Sequence, residues 1–225
     1  MLADSLGREL EGSLLDSSAT LIRLDGSRVA GRVAITQTAE GCIEASIEPM
    51  PSMAWGVGFV GGTPTSLKVD SLRGISSQDS SSLIRIVIRL AATITDGPES
   101  RFTGLPVGIV ELWRARLPDG ATALVATLRR QINQEDSPLE ERTLIVAESD
   151  SKAPDGYVLA YSERSSGAGE TVESRELLAA VTFSPSTAVN FILAHDFGDQ
   201  SAYSIVERVA RGRWVLKWAS RRFSC

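Results

Sequence analysis

The stretch VGIVELWRARL (residues 107–117), PDG (118–120), ATALVATLRRQI (121–132) decides how the rest of this chain is read. Two apolar-rich runs, dense in Val, Ile, Leu and Thr, flank a tripeptide whose proline presets φ and whose glycine accepts a left-handed turn. That is the signature of a long antiparallel hairpin. Working outward in both directions, the same grammar recurs. Residues 20–24 and 29–36 bracket Asp25-Gly26-Ser27, and residues 43–47 alternate Ile43, Ala45 and Ile47 against Glu44 and Ser46. Residues 143–148, 157–163, 177–183 and 189–194 follow as further strand candidates, and 203–209 and 214–220 bracket Arg211-Gly212.

Two segments invite more particular readings. In residues 83–90, Ile84, Ile86, Ile88 and Leu90 alternate with Leu83, Arg85, Val87 and Arg89, which predicts a half-buried strand. In residues 137–142, Ser137 as a cap, Pro138 at the first helical position and Glu140 three after the cap predict one helical turn. Twelve to fourteen short strands with almost no long helical period predict an all-β fold. Its antiparallel sheets form a sandwich or a barrel, as one unit over residues 18–225 or as two packed sub-domains meeting near 96–104. Residues 1–17 stand apart: Leu2, Leu6, Leu10 and Leu14 recur at helical spacing and predict a short N-terminal helix.

Composition bounds the function classes. Hydrophobic residues make up 43% and charged residues 23% of 225, which is globular usage. The net charge of −5 argues against a nucleic-acid partner. Twenty of the 23 cations are arginine, a bias that arginine-rich codon usage explains as well as a recognition surface does. No run reaches the roughly 20 apolar residues of a spanning helix. Residues 1–16 lack the cationic start and long apolar middle of a secretory signal. Cys42 and Cys225 are the only cysteines; a bridge between them and an extracytoplasmic location, periplasmic or secreted, are expected, the alternative being two free thiols in the cytoplasm.

The motifs that resemble chemistry each lack their context. Gly56, Gly58 and Gly61 spell G-x-G-x-x-G, but no helix is offered after it to receive a pyrophosphate, so a glycine-rich bend and no cofactor are expected. Asp196-Phe197-Gly198 copies a kinase tripeptide without the loop, lysine and aspartate that would give it meaning. Asp196 and Asp199 are the candidate oxygen ligands for a cation, although Ca²⁺ wants six to eight and no further ligands are visible nearby.

His195 is the only histidine, so a Ser-His-Asp arrangement must use it, and no G-x-S-x-G elbow names its nucleophile. The acids Glu135, Asp136, Glu140, Glu141 and Glu148 suggest either a carboxylate-based glycoside hydrolase or a solvated turn paired with Arg129, Arg130 or Arg142. Trp214, Leu216 and Trp218 share one strand face and read as core; the basic tail of Arg211, Arg213, Lys217, Arg221 and Arg222 surrounds them.

The expectation is therefore a non-enzymatic binding or interaction module with a protein or glycan partner. The alternatives are a hydrolase of carbohydrate or a similar polar substrate, and a carrier of a small apolar ligand. A module should show an exposed apolar patch or an open strand edge, an enzyme two acids in one cleft, and a carrier a closed apolar cavity.

Overall fold

The computed structural model describes residues 16–37, 43–48, 56–61, 64–71, 77–94, 100–133, 138–169, 171–183 and 186–224. The predicted N-terminal helix, apart from Asp16 and Ser17, lies outside them, as do Cys42 and Cys225. Fourteen strands and one helix are described, and the fold is all-β, in three antiparallel sheets.

The first sheet has the order β3-β2-β1-β4, from β1 (Ser18–Ile22), β2 (Arg28–Gln37), β3 (Ile43–Glu48) and β4 (Val57–Val60). The chain then runs through β5 (Thr65–Leu67), passes Lys68 and continues as β6 (Val69–Ser71), so two three-residue strands in one extended segment serve different sheets. β6 is the edge of a second sheet, β10-β9-β8-β7-β6, built from β7 (Gly108–Arg116), β8 (Thr122–Ile132), β9 (Leu139–Ser149) and β10 (Tyr157–Ala168). β5 is the edge of the third, β14-β13-β12-β11-β5, with β11 (Ser174–Thr182), β12 (Val189–Asp196), β13 (Ser201–Ala210) and β14 (Arg213–Ala219).

The second and third sheets form a sandwich, and alternation along their strands makes its core. Val125 of β8, Leu144 and Val146 of β9, Leu177 of β11, Phe191 and Leu193 of β12, Val206 of β13 and Trp214 of β14 pack in one cluster. Phe191 and Trp214 stack with centroids 4.4 Å apart and planes 5° apart. Side chains of the opposite phase face outward and are covered too. Leu112, Leu124, Ala126 and Ile145 meet the helix, while Ala179, Val181 and Ile192 meet Ile22, Val57 and Phe59 of the first sheet. The order of layers is helix, sheet, sheet, sheet, which explains why β8, β9 and β12 read as continuous apolar runs.

That helix, α1 (Ser77–Ala92), corrects the expected strand at 83–90. LIRIVIRL satisfies both periods. Leu83 and Val87 are buried and Ile86, Leu90, Ala91 and Ile94 pack with them, which is a helical stripe, while Arg85 and Arg89 point to solvent. Residues beyond the octet decide the matter: Ala91 and Ile94 extend the stripe, and no Gly or Pro interrupts it from 77 to 94. Asp79 in the first turn and Arg89 in the last complement the helix dipole, and Arg89 meets Asp155 at 2.8 Å. No helix among the described residues is long and apolar enough to cross a membrane.

The helical turn expected at 137–142 is also corrected. Residues 139–142 open β9, where each is paired with both β8 and β10, and ladder bonds on two sides outweigh a single helical turn. Ser137, the expected cap, is outside the described residues. The two turn signals form as read: Gly120 and Gly26 both have φ of 82°, and Ser27 donates from its N and Oγ to Asp25 Oδ1.

Candidate functional site

Strand alternation carries polar side chains into the sandwich where its apolar core ends. His195 follows Phe191 and Leu193 in inward phase, Arg175 precedes Leu177, and Ser204 precedes Val206. They converge. His195 Nδ1 lies 2.5 Å from Glu173 Oε1, and His195 Nε2 lies 2.6 Å from Ser204 Oγ. Arg175 donates from Nη2 to Glu173 Oε2 at 2.7 Å, and its Nε faces Glu163 at 3.0 Å without hydrogen-bond alignment. Tyr161 donates to Glu163, Thr127 donates to the Arg175 carbonyl, and Arg222 lies over the Phe197 ring at 3.8 Å.

Acid, imidazole and hydroxyl stand in the order used for nucleophilic catalysis. Burial decides against that use: Ser204 is 1% exposed, so its oxygen is presented to the core and not to a substrate. The arrangement can orient an imidazole and satisfy buried donors and acceptors across two sheets. Period-two alternation continued past the last apolar residue of β11, β12 and β13 would have found these residues in the sequence.

Burial pushes the Glu173 carboxyl up, but the His195 hydrogen bond and the Arg175 and His195 charges outweigh it and hold the group below its ordinary 4.5. The Arg208 hydrogen bond likewise holds Asp119 below 3.8. A carboxyl depressed by folding stabilises the fold above its unfolded value, and that contribution is lost as pH falls through the folded value. The melting temperature should therefore fall as pH drops below about 4. A Glu173→Gln variant should show a shallower acid fall, and an unchanged slope would remove Glu173 from the cause.

The acid cluster does not form a catalytic pair. Glu140 and Glu141 pair with Arg142 and Arg130, as the solvated-turn reading expected, yet both are buried. Being consecutive in β9, they also face opposite sides of the sheet. Glu148 lies far along the same strand, and Glu135 and Asp136 are outside the described residues. Glu148 is 0% exposed and receives Arg208 Nε at 3.0 Å, Arg208 Nη2 at 2.5 Å and Trp214 Nε1 at 2.9 Å. Arg208 also holds Asp119 of the Pro-Asp-Gly turn at 2.8 Å, so this second charged plug ties the two sheets together.

Asp196 ends β12 opposite Ser201 and Asp199 lies in the tight turn to β13, where Asp196 Oδ1 accepts the Gly198 N–H at 2.8 Å. Among the described residues no three His, Cys, Asp or Glu side chains gather as a metal set. Of the three glycines Gly58 lies in β4 and the other two are bends at its ends: a Cβ on Gly56 would collide with the Leu178 carbonyl, and Gly61 turns the chain with a φ of 71°. Comparisons with protein-family models, with curated proteins and with solved structures find no match.

The C-terminal strand departs most from its sequence reading. Opposite Ile205 stands Trp218, but opposite Val206 stands Leu216, so Lys217 is a bulge residue. The bulge turns Leu216 and Trp218 to opposite faces. Only Trp214 is core; Leu216 is 48% and Trp218 37% exposed. Among the described residues β14 is bonded along one side alone, to β13.

Proposed function

We propose that this protein is a non-enzymatic interaction module that takes an extended segment of a protein partner alongside β14. One observation carries the reading: an edge strand bonded on one side among the described residues, with Leu216 and Trp218 exposed on either face of it. A strand added there gains backbone hydrogen bonds along the edge and an apolar neighbour on both faces. The flanking Arg211, Arg213, Lys217, Arg221 and Arg222 are exposed, and no acid interrupts residues 211–225 of a chain whose net charge is −5. This favours an extended segment that carries apolar residues on both faces and acidic residues toward the flanking cations. The bulge and Lys217 also guard the edge against indiscriminate pairing, which suits a selective site.

Selection of displayed random peptides against the protein tests this. The expected winners are extended apolar–acidic sequences that protect the amides of residues 213–219 from exchange. They should bind a Leu216→Lys, Trp218→Lys variant at least tenfold more weakly, with a melting temperature within a few degrees of the parent. A tryptophan anchor is commonly worth about 2 kcal/mol, or some 30-fold. Winners indifferent to both substitutions would refute the site, and preferential retention of single-stranded nucleic acid would replace it.

The carrier reading finds less support, because Phe191, Trp214, Leu144 and Leu193 fill the space between the sandwich sheets that an enclosed ligand would need.

A further inference from the structure

The corner where the chain passes from one sandwich sheet to the other leaves a gap. β5 pairs with only Ala180, Val181 and Thr182 of β11, so the earlier part of that strand, Ser174 to Leu178, has no strand partner on that side among the described residues. β6 in turn covers only Trp113, Arg114 and Ala115 of β7. An open cleft of about 410 Å³ lies there, where the three sheets converge. The first sheet contributes Arg23 and Asp25 from the turn after β1, the second Ser71 and Trp113, and the third Glu176 and Leu178.

The corner is firmly built. Leu24 O accepts the Val69 N–H at 2.8 Å, and Gly26 O accepts the Ser66 hydroxyl at 2.7 Å, so the β1–β2 turn is fastened to the β5–β6 segment. Trp113 is fixed as well, its Nε1 donating to Glu111 Oε2 at 3.3 Å. The cleft therefore combines a held indole, a small apolar floor and a few convergent polar groups, the usual make-up of a small-ligand site.

We propose that this cleft binds a neutral carbohydrate, with a sugar ring lying on Trp113 and its hydroxyls shared among Arg23, Asp25, Ser71 and Glu176. Charge selects neutrality. Arg23 and Asp25 lie 3.7 Å apart and compensate each other. Partial burial, and then the nearby Glu111 carboxylate, push the Glu176 carboxyl up. An anion meets two carboxyls, and a cation competes with Arg23. A polyol supplies both donors and acceptors, and its C–H face matches an indole. This site is separate from β14 and stands whether or not a peptide docks there.

The test follows the four tryptophan indole N–H signals by NMR while neutral hexasaccharides are added: β-1,4-linked glucose, xylose and mannose, and α-1,4-linked glucose. At least one should shift the Trp113 signal saturably while leaving Trp218 in place. Trp113→Ala and Glu176→Gln should each weaken it tenfold or more; Glu176 is exposed, so its variant separates lost binding from lost folding. Cleavage of the sugar that Glu176→Gln abolishes would support the cleft and overturn the non-enzymatic reading of the protein. The cleft proposal fails if no saccharide moves Trp113, if both variants bind like the parent, or if choline binds in place of every sugar.

Discussion

Replacing Glu148 by alanine should destabilise the protein by about 3–5 kcal/mol, the usual consequence of removing one partner of a buried ion pair. The side chain is completely buried and accepts from two nitrogens of Arg208 and from the indole of Trp214. Its removal leaves Arg208 with Asp119, a half-exposed partner, and leaves a buried indole N–H with nothing to donate to. An apolar pair of similar volume removes the under-paired charge but not the orphaned indole N–H, so Glu148→Met with Arg208→Met should recover part of the loss. Urea unfolding of the two single variants and the double variant measures the coupling. Additive losses would mean that the contacts act independently and that the plug is not a unit.

Replacing Phe191 by alanine should cost a similar amount, about 3–5 kcal/mol, by a different physical route. Phe191 is fully buried at the centre of the sandwich and stacks flat on Trp214, so truncation removes apolar burial and leaves a cavity between two sheets that are held apart elsewhere. The same indole is fixed by Glu148, which limits how far it relaxes into the space. Phe191→Leu should cost roughly half as much, because most of the volume is restored. Val110, 54% exposed on β7, provides the contrast: its alanine variant should stay within about 0.5 kcal/mol of the parent. Thermal and urea unfolding check the ranking, and a Phe191→Ala loss below 1 kcal/mol would mean that the core closes around the vacancy.

The hairpins were readable because each is punctuated by residues with one conformational purpose. Pro118-Asp119-Gly120 and Asp25-Gly26-Ser27 name their turns, and alternation on either side places the strands. The helix was hidden because an octet with isoleucine at every second position and arginine at every fourth obeys two periods at once. β9 was obscured at its start by Ser137-Pro138, a cap signature that ladder bonding overrides.

Trp218 was misplaced by a single bulge at Lys217, which reverses the phase of everything after it and leaves no mark in composition. The convergence of Glu173, Arg175, His195 and Ser204 follows from strand order, and the cleft around Trp113 from the shortness of β5 and β6. Strand order and strand length at an edge are set by partners far away in the chain, where local pattern carries no information.

The first sheet closes over Ala179, Val181 and Ile192, residues made long after its own. Ile22 must wait for roughly 170 further residues to leave the ribosome, some 10–30 s at ordinary synthesis rates, before the surface that shields it exists. Through that interval the nascent N-terminal third presents Ile22, Val57 and Phe59 without their cover. Substitutions that slow the maturation of β11 and β12 should therefore appear first as lost yield during synthesis, and only later as lost stability in the finished protein.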